Sequence, residues 1–276
     1  MTYWTALLIG LIFGAAGFLP VSASGHLSFL HNLLRIGDLP EHPLFDALLR
    51  LAACAAVMLT SRKELRALRR ETLAMTGLRA LPRGRRPDRP MRRMIQLLLL
   101  AALPLIAAAI LRSVVRPLYE NTFFVGFLFL ADGLALFLAD HYGHGNKNER
   151  GMTLSDALGV GTAQMLAVVP GVSRTGFGIS AGMLFGLDRS FAVRFSLLLC
   201  IPALLGGSIL SLASAISAGV DWALVPAYLC GAAAAFVFGC LAVSALRLAV
   251  LRGRAGSFCY YCWGAGLLTL ILSLIS

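Results

Sequence analysis

Charge is what this chain has least of. Asp and Glu number 13 among 276 residues, and residues of either sign make up 13%. A soluble globular domain carries about 25%. With 58% apolar residues to hide, these few charges do not coat a water-soluble ball, and the same apolar content excludes disorder. The six cysteines (Cys54, Cys200, Cys230, Cys240, Cys259, Cys262) are scattered through apolar stretches, which excludes the regular spacing of a disulfide framework. Cys259 and Cys262 make a Cys-Tyr-Tyr-Cys without thioredoxin-like surroundings and read as packing residues. No basic region and no small-residue cleavage site flank the first apolar run, so no cleaved signal peptide is expected.

What is present is a series of long apolar runs. A membrane span needs about 20 apolar residues, and uninterrupted runs of that kind lie near 45–60, 95–115, 122–140, 192–217, 222–246 and 258–275. These predict an all-α integral membrane protein with about six transmembrane helices in one domain, 1–276. The net charge of +11 fits this reading once located: twelve of the 24 Lys and Arg fall between Arg62 and Arg93, opposed by Glu64, Glu71 and Asp88. A basic segment beside apolar spans is a topology signal, placing 61–94 as a cytoplasmic loop. It also suits contact with anionic lipid heads. No stacking aromatics or nucleic-acid fold signature accompany it, so no nucleic-acid partner is expected.

Two further apolar stretches are broken. Residues 5–35 are interrupted by Gly14, Gly17, Pro20 and Ser22-Ala23-Ser24-Gly25-His26, and residues 155–187 by Pro170, Gly171, Ser173, Arg174, Thr175 and Gly176. A broken helix frees backbone groups that lipid does not satisfy, so it must be buried in protein or line a wet cavity. Both stretches read as re-entrant helical hairpins. Each is followed by three full spans, and Ser22-Ala23-Ser24-Gly25 aligns with Ser173-Arg174-Thr175-Gly176. An odd number of crossings per half inverts the second relative to the first. The expected architecture is thus an inverted repeat, 1–140 and 155–276, with a binding site between the paired breaks.

Hydroxyls, glycines, a histidine and an arginine at helix breaks suit an anionic ligand. Helix N-termini and exposed N–H groups make an anion nest, and Arg174 grips phosphate with a bidentate fork. Set against this, the hydroxyls of Ser22, Ser24, Ser173 and Thr175 equally suit back-bonding to helix carbonyls or gluing of helices. Asp46 and Arg50, at i, i+4 on one span, suit an ion pair. Asp132 and Asp140 lie on another span, where Asp132 is placed to face the interior.

The stretch GLIFGAAGFLPVSASGH (10–26) resembles the first signature of the bacitracin-resistance family of undecaprenyl-diphosphate phosphatases. AQMLAVVPGVSRTGFGISAGMLFGL (163–187), continued by FSLLLCIPALLG (195–206), resembles the second. The likeness covers nearly the whole chain. It implies a multi-pass enzyme of the bacterial inner membrane that removes the terminal phosphate of undecaprenyl diphosphate, recycling the carrier lipid of cell-wall synthesis. His26 and Arg174 match the family's histidine and arginine. With Ser22 and Ser24 they are the catalytic candidates; Gly25, Gly171, Ser173, Thr175, Gly176, Arg50 and Arg194 are the candidates for binding a polyprenyl diphosphate or phosphate.

The chain departs from the family at telling places. Two glutamates of the first motif are replaced by Phe13 and Gly17, a motif hydroxyl by Ala23, a typical glutamine by Arg50 and a typical glutamate by Arg194. A divalent cation, Mg or Ca, is implied by the resemblance, but its usual carboxylates are missing, and no metal ligands are assigned. Arg50 and Arg194 would then join Arg174 in supplying positive charge directly. The alternative reading is a non-hydrolytic polyprenyl-phosphate binder or translocator. The sequence is compatible with an oligomer.

Overall fold

The computed structural model describes residues 1–35, 39–78 and 87–275. Eleven α-helices occupy them, joined by short 3-10 turns, with no β-strand among the described residues. Six helical segments are long and apolar enough to cross a membrane: Pro43–Thr60, Arg89–Tyr119, Thr122–Tyr142, Arg189–Ala218, Trp222–Leu251 and Ala255–Ile275. The chain is an all-α integral membrane protein.

The first broken stretch is two helices, α1 (Tyr3–Phe18) and α2 (Ala23–Leu34). The second is α7 (Leu154–Met165), a 3-10 turn at Leu166–Val168, and α8 (Arg174–Leu184). Between them run α3 (Pro43–Thr60), α4 (Arg62–Met75), α5 (Arg89–Val115) and α6 (Thr122–Tyr142). After them come α9 (Arg189–Ala218), α10 (Val225–Leu251) and α11 (Phe258–Ile275). Polar residues mark the starts: Asn121 caps α6, Thr153 and Asp156 make a reciprocal capping box on α7, and Asp188 caps α9.

The expected loop 61–94 differs from the structure. Its first part is α4, in which Leu65 and Leu68 pack against the core while Arg62, Lys63, Arg66 and Arg69 stay exposed. Apolar residues on one face and cations on the other satisfy a helical period, a pattern that the density of charge conceals. The same helix meets α5 at Glu71, which is fully buried and lies 3.3 Å from Arg92 Nε. Arg79, Arg83, Arg85 and Arg86, part of the same basic run, lie outside the described residues.

Several packing partners come in matched pairs. Helix α1 lies along α10 and α7 along α5; α3 packs on α10 and α9 on α5; α2 touches α11 and α8 touches α6. Two contacts map onto themselves, α3 with α9 and α6 with α11. Small residues make the closest approaches. A Cβ on Gly10 or Gly14 would strike the carbonyls of Gly231 or Ala235 on α10, and one on Gly161 would strike that of Ala101 on α5. Backbones this close gain dispersion contacts where lipid provides no hydrophobic drive.

Candidate functional site

Both breaks are closed by the same device. Helix α1 stops before Pro20, which has no N–H to continue it, and Ser22 takes a left-handed φ of 60° before α2 begins. A β-substituted residue held there stores strain, and such strain clusters at functional sites. Ser22 Oγ accepts from Gly25 N at 3.2 Å and lies 3.3 Å from Ser24 Oγ. In the second break, Gly171 supplies the turn at φ 92°. Ser173 Oγ accepts from Gly176 N at 3.1 Å and lies 3.3 Å from Thr175 Oγ1. Each serine satisfies one of the donors that a helix start leaves unpaired.

The two breaks touch. Thr175 Oγ1 donates to the carbonyl of Leu19 at 3.3 Å. A Cβ on Gly25 would come within 3.0 Å of Gly171 Cα and 2.6 Å of Phe129 Cζ, so glycine at position 25 allows the contact. Helices α6 and α11 brace the junction. Asp132 on α6, fully buried, accepts from Ser173 N at 3.1 Å. Cys262 on α11 points its thiol at Pro20 O, 3.4 Å away, and at Asp132 Oδ2, 3.8 Å away. The described cysteines are all free thiols.

His26 stands at this junction. Its Nδ1 lies 2.7 Å from the carbonyl oxygen of Ser22 and its Nε2 2.7 Å from the Tyr261 hydroxyl. A carbonyl only accepts, so Nδ1 carries the proton and Nε2, in the neutral ring, accepts from Tyr261. The ring is also edge-on to Phe129, with centroids 5.1 Å apart. An apolar cleft lined by Leu11, Ala15, Leu19 and Phe258 runs from His26 and Tyr261 to Arg254.

The side chain of Arg174, the first residue of α8, makes no hydrogen bond or ion pair among the described residues. It lies in the electrostatic field of Arg50, Asp46 and Tyr119. Arg50 and Asp46 form the pair their spacing suggested, with Nε 3.0 and 2.9 Å from the two carboxylate oxygens. Arg194 lies elsewhere. It is 13 residues before Gly207, against which Arg50 packs, so about 20 Å separates them along α9. It binds Glu149 at 2.9 Å and stacks over Phe191. Asp140 pairs with Arg189 at 2.8 Å. Of the sequence candidates, Ser22, Ser24, Gly25, His26, Gly171, Ser173, Thr175 and Gly176 gather at the two breaks.

The chain as a whole matches known proteins. The family model described as bacitracin resistance protein BacA matches residues 6–268. The chain belongs to the BacA family. Proteins named undecaprenyl-diphosphatase are similar to it along their whole length. The one from Desulforapulum autotrophicum is 32% identical, with 100% of each chain covered. That from Carboxydothermus hydrogenoformans is 34% identical over 99% of this chain and 98% of the relative, and that from Desulfosudis oleivorans 35% over 96% of each.

Three residues at this BacA-family site carry no signal in the sequence. Tyr261 reads there as part of the Cys-Tyr-Tyr-Cys, 235 residues from His26. Arg112 reads as an ordinary basic residue ending a span, yet its Nη2 lies 3.4 Å from Asp46 Oδ2. Tyr119 donates to Val168 O in the second break at 3.0 Å. Asp132 has a signal of a kind, an acid inside an apolar run.

Proposed function

We propose that this BacA-family chain hydrolyses undecaprenyl diphosphate, or a polyprenyl diphosphate like it, to the monophosphate and inorganic phosphate, returning a carrier lipid to envelope synthesis. The observation that carries the reading is the meeting of two identically capped helix starts beside His26 and an unpartnered Arg174. Helix N-termini and a guanidinium stabilise charge on a transferring phosphoryl group. In the reaction a water oxygen bonds to the terminal phosphorus, the bridging P–O bond breaks, and the lipid phosphate leaves. Arg174 holds the terminal phosphate. His26 accepts a proton at Nε2 once Tyr261 swings aside, its Nδ1–H anchored on Ser22 O. Ser22 and Ser24 on one side, and Ser173 and Thr175 on the other, orient the phosphate oxygens.

A resident Mg or Ca ion does not suit the donors present. A cage built by the protein alone would need several converging oxygen ligands, whereas among the described residues no three His, Cys, Asp or Glu side chains converge. The oxygens of Asp46 and Asp132 are already engaged by the chain's own donors. The exchanged packing partners support an inverted repeat in which α1, α2, α3, α5 and α6 correspond to α7, α8, α9, α10 and α11. Such a chain sits in the bacterial inner membrane, with the cationic face of α4 toward the cytoplasm and anionic lipid heads. A second reading, lipid-phosphate binding or translocation without hydrolysis, is favoured by one observation: among the described residues no carboxylate hydrogen-bonds to Ser22, Ser24, Thr175 or His26.

Phosphate release from undecaprenyl diphosphate by the detergent-purified chain separates the readings. Release that disappears in Arg174→Ala supports hydrolysis. Retained lipid binding with no release supports the second reading, and neither activity refutes both.

A further inference from the structure

At the end of α3 remote from α4, the chain gathers cations around one carboxylate. Asp46 lies near the start of α3, Arg112 near the end of α5, and Ser211 near the end of α9. All three are remote from the ends that adjoin α4 and the 141–155 segment. Asp46 Oδ2 accepts from Arg50 Nε at 2.9 Å and from Ser211 Oγ at 2.5 Å. Arg112 Nη2 stands 3.4 Å from the same oxygen, and its Nη1 3.4 Å from Ser211 Oγ. Charge-assisted bonds run near 2.7–2.9 Å, so Asp46 is satisfied without Arg112, which is held loosely and is 47% exposed.

Arg50 is half committed. Asp46 takes its Nε edge, and its Nη1 and Nη2 have no hydrogen-bond partner among the described residues, nor are they sealed from access. A Cβ on Gly207 would come within 2.9 Å of Nη1, so glycine there makes room for the guanidinium. Tyr119, whose hydroxyl donates to Val168 O in the second break, lies in the field of Arg50, Arg174, Arg112 and Asp46. Three guanidinium groups against one carboxylate leave two positive charges uncompensated. The chain's neighbours here do not change that: Arg116 and Glu120 flank Tyr119 in opposite sign, both exposed.

We propose that Arg50 and Arg112 form a second phosphate subsite beside Arg174, so that the chain takes a lipid diphosphate by arginine forks where a cation-using site would bridge the two phosphates. The proposal rests on the substrate class proposed above. One phosphate sits between Arg174 and the helix breaks; the other displaces the long contacts of Arg112 and receives the free Nη groups of Arg50. A monophosphate fills the first position alone, which makes these two arginines determinants of diphosphate over monophosphate.

The test is calorimetric titration of the detergent-purified full chain in EDTA. The probes are the methylene-bridged, non-hydrolysable analogue of geranylgeranyl diphosphate and geranylgeranyl monophosphate. The wild type is expected to bind the diphosphate analogue without any cation. Arg112→Gln and Arg50→Gln each weaken that binding tenfold or more, the size of a lost charged hydrogen bond, and weaken the monophosphate less than twofold. Arg174→Gln weakens both. Should Arg50→Gln melt early because Asp46 loses its partner, the Asp46→Asn, Arg50→Gln double variant supplies a neutral pair and should show the same selective loss. Diphosphate binding that appears only with added Mg²⁺, or equal losses for both lipids, overturns the subsite and leaves the substrate class standing. A wild type that binds neither lipid overturns both.

Discussion

Replacing Gly25 by alanine tests whether the contact between the two helix breaks is part of the site. The new Cβ would lie 2.6 Å from Phe129 Cζ, 2.9 Å from its Cε2 and 3.0 Å from Gly171 Cα. Ordinary contact is about 3.5–4.0 Å, so the buried Phe129 ring must retreat by roughly 1 Å and the second break by several tenths. Overpacking of this order costs about 1–3 kcal/mol. Alanine returns about 0.5–1 kcal/mol by stiffening a helical position. The net loss is about 0–2.5 kcal/mol, which at about 2–4 °C per kcal/mol is a drop in Tm of under 10 °C. A displacement of about 1 Å among reacting groups costs on the order of 10²-fold in rate. Activity should therefore fall far more than stability. Thermal melting in detergent and phosphate release from a polyprenyl diphosphate measure the two effects. Gly17→Ala is the stability control, since nothing lies within 4 Å of its Cβ; it should raise Tm slightly. Full phosphate release by Gly25→Ala with a normal melt would refute the reasoning.

Other perturbations probe the remaining parts. His26→Ala is expected to lower phosphate release at least 100-fold, while Tyr261→Phe, which removes only the donor to Nε2, keeps release within about threefold; the reverse order would move the proton acceptor to Tyr261. Gly14→Leu forces a side chain into the Ala235 backbone and is expected to abolish a monodisperse folded peak in size-exclusion chromatography, whereas retention of the peak would show that α1 and α10 tolerate separation. Arg194→Gln breaks a half-exposed pair with Glu149 worth about 1 kcal/mol or less. It should reduce phosphate release far less than Arg174→Lys, as measured under identical lipid and detergent.

Spans were legible because burial in lipid demands unbroken apolar length, so the residue ranges of α6, α9 and α11 are nearly those of the apolar runs. The breaks were legible for the converse reason. Proline, glycine and serine at Pro20–Gly25 and Pro170–Gly176 are costly inside a helix and cheap at its start. The Asp46–Arg50 pair follows from helical spacing. Helix α4 was hidden because twelve cations in one segment attract attention before their period does. The partners of His26, Arg194 and Asp132 were hidden for a simpler reason. Tyr261, Glu149 and Ser173 are brought to them by tertiary packing, and nothing local to any of these residues encodes the match.

The role of α11 carries a consequence for how the protein is made. Pro20 and His26 are translated well before the thiol and hydroxyl that meet them, on Cys262 and Tyr261 of α11, which lie 242 and 235 residues further along. The nascent chain thus inserts α1 and α2 with an unfinished polar junction, and the junction is completed only once α11 is made. A chain arrested before Phe258 would lack the Tyr261 hydroxyl, the Cys262 thiol and one wall of the cleft beside His26.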